Sequence, residues 1–216
     1  KWELLLPSKA YDESLNDNSA YEEPFTGQKY PKFPHDLPEL LKENGKGLIK
    51  ATPYGNTLTK DMAIAAIEGE GLGEDIHTDL LAVSFSSPDY VGHQFGTDSK
   101  EIQDTYLRLD RDLASFLSYL DDQIGKENVL VFLTADHGAA EVPAYLSDIN
   151  VPGSNIGKDD FSPLFDAMKA KYGVSDLINN ISNNQVFLNQ ERILSLQLNP
   201  EEVQKFVVNK IIDYPF

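Results

Sequence analysis

Four side chains in two short runs have the types and spacing to do chemistry together. Asp89 and His93 lie in Ser86-Ser87-Pro88-Asp89-Tyr90-Val91-Gly92-His93, and Asp136 and His137 lie in Thr134-Ala135-Asp136-His137-Gly138. Ser87 reads as the cap of a helical turn, and Pro88 suits its first position. Asp89 and His93, four residues apart, then share one face of that turn. A carboxylate and an imidazole so placed can grip one divalent ion. Adjacent side chains on a regular strand point to opposite faces, so Asp136 and His137 can share an ion only where the chain leaves the strand. Gly138 permits such a bend. A plainer meaning stands beside each: an Asp-x-x-x-His pair is commonly a cap plus a surface histidine, and Asp-His-Gly after a strand is commonly a turn.

The elements around the pairs bring them to one place. Asp79–Ser86 (DLLAVSFS) is a mostly apolar run of the kind a strand shows when both of its faces are covered. Ile102, Tyr106, Leu109, Leu113, Phe116, Leu117, Leu120 and Ile124 recur at three- and four-residue spacing, which predicts a long amphipathic helix closed by Gly125. Asn128–Thr134 (NVLVFLT) is a second apolar, β-branched run. Strand, long helix and strand predict a βαβ unit with parallel strands and a right-handed crossover. Ligands of an open parallel sheet bind outside the carboxyl ends of its strands, and both Asp/His pairs follow such an end. Two of the chain's four histidines fall there.

Composition bounds the rest. The chain has 216 residues, 41% hydrophobic and 10% aromatic, enough for a sizeable core, and no run approaches the roughly 20 apolar residues of a membrane span. With 18 basic and 35 acidic residues the net charge is −17, a field that repels nucleic acid and anionic membranes. The absence of cysteine excludes a disulfide framework, a thiolate metal site and a cysteine nucleophile.

Residues 8–36 show neither helical nor alternating period and read as an extended lead-in packed by Tyr11, Tyr21, Phe25, Tyr30 and Phe33. A short helix is expected after Asp36-Leu37-Pro38. Thr52-Pro53-Tyr54-Gly55-Asn56 reads as a turn, with Thr59 capping a helix from Lys60 to about Glu68. Helices are expected at 162–172 and 200–213, and a strand at Gln185–Asn189. Arg108, Asp110, Arg111 and Asp112 read as a solvated, ion-paired face.

Asp89-x-x-x-His93 followed, after the long helix, by Thr134-Ala135-Asp136-His137-Gly138 resembles the alkaline phosphatase superfamily and its type I phosphodiesterase/nucleotide pyrophosphatase relatives. Thr52-Pro53-Tyr54-Gly55-Asn56-Thr57, Ser86-Ser87-Pro88-Asp89-Tyr90, Asp104-Thr105-Tyr106-Leu107-Arg108-Leu109-Asp110 and Asp136-His137-Gly138-Ala139-Ala140 narrow it to the bacterial phosphate-irrepressible, threonine-nucleophile zinc alkaline phosphatases. The resemblance is dense between about 50 and 145 and rests past 150 mainly on the order of elements.

The resemblance implies an α/β fold in which a parallel sheet is flanked by helices. It implies one partial domain over 1–216, with 1–36 the lead-in and 37–216 the α/β core. It implies two zinc ions in the parent, Asp89 and His93 on one and Asp136 and His137 on the other. It further implies hydrolysis of a small-molecule phosphate monoester through a phospho-threonine, in the periplasm or outside the cell, with no nucleic-acid or membrane partner. The family's nucleophilic threonine, a further aspartate ligand, a lysine and an arginine on the phosphoryl oxygens and a last histidine ligand have no counterpart here. Thr134 is not the nucleophile position, and His35 and His77 match no ligand. Glu141 stands where some relatives carry a histidine. The chain begins at Lys1, so an internal segment is expected, inactive alone, with zinc weakly bound or absent and open sheet edges that invite association. The alternatives are a phosphodiesterase, nucleotide pyrophosphatase or sulfatase-like branch of the superfamily, or a non-catalytic acidic domain that keeps the fold.

Overall fold

The computed structural model describes residues 1–153, 156–183 and 185–212. They fall into two compact units, Lys1–Gly153 and Ser154–Phe216.

The first unit is built on helices. After a lead-in come α1 (Leu37–Asn44), a 3-10 segment (Lys46–Ala51), α2 (Tyr54–Glu70), α3 (Ser87–Phe95), α4 (Lys100–Gln123) and α5 (Pro143–Asp148). α1 follows Asp36 as the sequence predicts. α2 begins earlier than the expected Lys60, because Pro53 already holds helical backbone angles (φ −61°, ψ −21°). Thr59 is therefore interior rather than a cap, and its hydroxyl donates back to the Gly55 carbonyl at 3.0 Å. α4 is capped by Ser99, whose Oγ accepts from the Ile102 amide at 3.2 Å, and the helix is closed by Gly125 at φ +95°. Its apolar stripe is covered at Phe116 and Leu120, which pack with Ala63 and Ile67 of α2. Tyr106 and Leu117 on the same stripe stay exposed.

The lead-in closes on α4. Trp2 and His35 exchange backbone hydrogen bonds of 2.9 Å in each direction. Trp2, Phe25, Leu37, Leu40, Leu48, Val91 and Phe95 form one buried cluster, with Phe25 and Phe95 edge-to-face at 5.0 Å. Tyr11 is buried as well, whereas Tyr30 is exposed. Arg108 is not on a solvated face. It donates from Nε to the buried Asp104 carboxylate at 2.6 Å and from a terminal nitrogen to the Glu3 carbonyl at 2.6 Å.

The expected parallel sheet does not form among the described residues. Asp79–Ser86 and Val129–Thr134 carry no strand pairing, so the helix between them is not the crossover of a βαβ unit. Their side chains face solvent instead: Leu80 is 92% exposed, Phe132 84% and Leu133 85%. The physical reason lies in what a strand requires. An apolar, β-branched run favours extended backbone by itself, but becomes a strand only when neighbouring chains take its N–H and C=O groups. Val83 and Val129 are half-buried against the α2–α4 cluster, and Phe85 is half-buried as well.

The second unit holds α6 (Ser162–Tyr172), β1 (Ile178–Ser182), β2 (Gln185–Leu188), α7 (Gln190–Ser195) and α8 (Pro200–Ile212). β1 and β2 pair antiparallel, the only sheet among the described residues. Leu164, Met168, Leu177, Ile178, Ile193, Val203 and Val207 make its core. The predicted helices fall here, and the predicted strand ends one residue early, at Leu188, because Asn189 caps α7, its side chain accepting from the Arg192 amide at 3.1 Å. Residue 213, the expected end of the last helix, lies outside the described residues.

Candidate metal centre

α3 presents the first pair. Ser87 is its first residue rather than its cap, and the side chain at the cap position, Ser86, makes no hydrogen bond to the helix's first turn. The acceptor for the Ser87 amide comes from α2: Asn56 Oδ1, at 3.3 Å. From that anchored start, Asp89 Oδ1 and His93 Nε2 meet at 3.4 Å, one turn apart on one face.

The second pair sits where the chain is bent rather than extended. The His137 amide donates to Asp136 Oδ1 at 3.0 Å, turning Asp136 back on its own backbone and leaving Oδ2 3.6 Å from His137 Nε2. His137 Nδ1 lies 2.9 Å from the Gly138 carbonyl, which can only accept. Nδ1 therefore carries the proton, and the lone pair of neutral His137 resides on Nε2. That hydrogen bond, followed by the Asp136 charge, raises the His137 pKa above its ordinary value. Gly138 holds no left-handed angle, and a side chain there would meet open space, so the bend does not depend on it.

Asp89 links the pairs. His137 Nε2 stands 3.8 Å from Asp89 Oδ1, so four side chains from two distant segments converge. Three contacts hold the second segment against the end of α3. Gly96, at φ +89°, leaves room for Val142, whose Cγ2 would be only 3.0 Å from an added Cβ. Thr97 Oγ1 donates to Glu141 Oε2 at 3.0 Å. Partial burial, and then hydrogen bonding to Glu141, raises the Asp98 pKa, as two carboxyl groups sharing a proton require. Sequence reasoning missed Asn56, Gly96 and Thr97; only the Glu141 departure pointed toward this seam. His35 and His77 lie elsewhere, His35 buried against Glu101 and His77 exposed.

The donor geometry suits zinc in pairs. Bonds of about 2.0–2.1 Å at tetrahedral angles set neighbouring ligands roughly 3.3 Å apart. The 3.4 Å and 3.6 Å separations within the pairs approach that value. Among the described residues no group of three or more such side chains surrounds one point. All four are open to solvent, from 44% exposed for Asp89 to 89% for Asp136.

The comparisons with known proteins agree on one lineage. Residues 7–205 match the model of the type I phosphodiesterase / nucleotide pyrophosphatase family. The chain is 42% identical over 216 residues to alkaline phosphatase PafA of Elizabethkingia meningoseptica, covering 99% of this chain and 39% of that protein. It is 40% identical over 215 residues to alkaline phosphatase PhoV of Synechococcus elongatus, covering 98% and 38%. A protein of Myroides odoratus named calcium-transporting ATPase is 50% identical over 208 residues, covering 94% and 37%. The crystal structure of wild-type PafA superposes with a TM-score of 0.88 at 42% identity, over 99% of this chain and 41% of that one. The chain thus spans about two fifths of the length of these relatives. No helix among the described residues is long and apolar enough to cross a membrane.

Proposed function

The chain belongs to the type I phosphodiesterase / nucleotide pyrophosphatase family of the alkaline phosphatase superfamily, and from that premise we propose that it is the part of a two-zinc phosphohydrolase that carries Asp89, His93, Asp136 and His137 as metal ligands. The whole protein hydrolyses small-molecule phosphate monoesters through a phospho-threonine, in the periplasm or outside the cell, and residues 1–216 are part of its one catalytic domain. The nucleophile is not among this chain's residues. The observation that carries this reading is the approach of His137 to Asp89 across two segments 48 positions apart in number, in a chain similar to alkaline phosphatases along its whole length.

Zinc, when bound, supplies Lewis acidity to the phosphoryl group and to the oxygens that attack and leave it. The chain's own residues prepare for that. The Gly138 carbonyl holds the His137 proton on Nδ1 and leaves Nε2 to ligate. The His137 amide orients Asp136, and the helical register of α3 orients Asp89 against His93. A field of −17 repels a phosphate dianion, so local cations at these carboxylates are what make the site habitable for substrate. With two protein donors per ion, zinc is held loosely by this chain alone.

Titration of the chain with zinc by calorimetry tests the reading. Weak uptake abolished by Asp89→Ala together with His137→Ala supports it; uptake unchanged in that variant overturns it. p-Nitrophenyl phosphate with added zinc is expected to show no turnover by the chain alone, and turnover at the rate of a complete phosphatase contradicts the placement of the nucleophile. The family's name favours a second reading, hydrolysis of phosphodiesters. Relative rates of the whole protein on p-nitrophenyl and bis-p-nitrophenyl phosphate separate the two.

A further inference from the structure

The metal-ligand reading above leaves unexplained how a helix of nine residues with no side-chain cap of its own holds two ligands in register. Free first-turn amides fray, and fraying would release Asp89, which lies in that first turn. The structure supplies the missing acceptor from a distant element. Asn56, on α2, is 1% exposed, and its Oδ1 accepts from the Ser87 amide at 3.3 Å. The amide must be oriented this way, because the Ser87 N–H can only donate. Its Nδ2 is buried with no hydrogen-bond partner, so the side chain is held here although it leaves a donor unsatisfied.

Next to it, Gly55 brings the start of α2 against the same residue. A Cβ on Gly55 would lie 2.3 Å from Ser87 Oγ and 2.9 Å from the Ile49 carbonyl oxygen. Those clashes involve a buried side chain and fixed backbone, so nothing larger than glycine fits without moving α3. The Gly55-Asn56 step is therefore a seat that fixes where α3 starts, and hence where Asp89 faces His137.

We infer that Asn56 is a positioning residue of the metal site: its carbonyl oxygen clamps the first turn of α3 so that Asp89 and His93 stay in ligating register. The inference rests on the metal-ligand reading but is separable from it. Asn56→Leu keeps the volume and removes the unpaired donor but strands the Ser87 N–H, so its effect falls directly on α3. Asn56→Asp retains the acceptor.

The test compares wild type, Asn56→Leu, Asn56→Asp and Phe116→Leu, a core change between α2 and α4 that touches neither ligand pair, with Asn56→Ala in reserve should the leucine variant not fold. Zinc alone, titrated calorimetrically, is expected to bind about tenfold more weakly to Asn56→Leu, with Asn56→Asp restored to within about threefold of wild type and Phe116→Leu unchanged. Wild-type affinity in Asn56→Leu, or an equal loss in Phe116→Leu, overturns the inference. Should wild type take up too little zinc to titrate, as two protein donors per ion allow, hydrogen exchange decides the positioning role by itself. Amides of Asp89, Tyr90 and Val91 then exchange at least about tenfold faster in Asn56→Leu than in either wild type or Phe116→Leu. Equal protection in all three overturns it.

Discussion

The lead-in and the two extended segments beside the two Asp/His pairs are opposites in how they satisfy their chemistry. Residues 1–36 have little regular structure, yet they are nailed down by polar groups inside. Buried Asp104 accepts from Trp2 Nε1 at 2.7 Å, from the Leu5 amide at 2.8 Å, from the Tyr11 hydroxyl and from Arg108. A few positions along α4, Glu101 meets His35 Nε2 at 2.9 Å with both side chains fully buried. Residues 79–86 and 129–134 have the composition of core strands and are left largely exposed, without ladder partners. Regular pairing and burial therefore follow partners rather than composition: an irregular segment with its donors and acceptors matched is buried, and a strand-like one without ladder partners stays largely in solvent.

The largest expected effect breaks the ordered side. Asp104→Ala leaves four donors facing a void and should cost about 3–5 kcal/mol in urea unfolding, because removing one partner of a buried charged network strands the others. Leu133→Ala, with 85% of its side chain already in water, should change stability by less than about 0.5 kcal/mol. Similar losses in the two variants would erase the contrast.

Proton binding sharpens it next. Burial lifts Glu101 to about 8 and lowers His35 to about 4, so the pair is neutral, with Glu101 donating to Nε2 and Nδ1–H donating to Gln28 Oε1 at 3.0 Å. Burial and the neighbouring Glu101 likewise raise Glu22 to about 8. Asp17, Asp104 and Lys100 complete the charges around the pair. For the two glutamates the folded pKa exceeds the unfolded one, so their contribution is whole below about 4.5 and is lost as pH rises to about 8. For His35 the sign is reversed: its contribution is present above about 6.5 and is lost as pH falls through about 4. Between 6.5 and 8 the glutamate loss operates, joined by that of His137, whose pKa is also raised, and the urea midpoint should fall steadily across that window. Glu101→Gln, which can still donate to Nε2, should flatten the fall; an unchanged slope would show that the pair does not titrate.

On the exposed side, Leu130→Lys with Leu133→Lys should leave the urea midpoint in place while removing concentration-dependent scattering, since charge on an unpaired edge blocks strand addition. Association unaffected by the two lysines would place it elsewhere. The smallest effect is at the seam beside the site. Thr97→Val removes one exposed hydrogen bond to Glu141 and should cost about 0.5 kcal/mol.

What the sequence determined by itself was local. The spacing of Ile102, Phe116 and Leu120 announced α4, Asp36-Leu37-Pro38 announced α1, and the Asp/His runs announced the candidate ligands, because helix period, caps and motif spacing are set by residues within a few positions of one another. Tertiary structure alone decided that Asn56 would serve as the acceptor at the start of α3, that Arg108 would turn inward to Asp104, and that His137 would reach Asp89. It also decided that two strand-like runs would stay unpaired. Each of these depends on a partner far away in sequence, and a hydrogen bond or a β-ladder exists only when both of its halves are present in space.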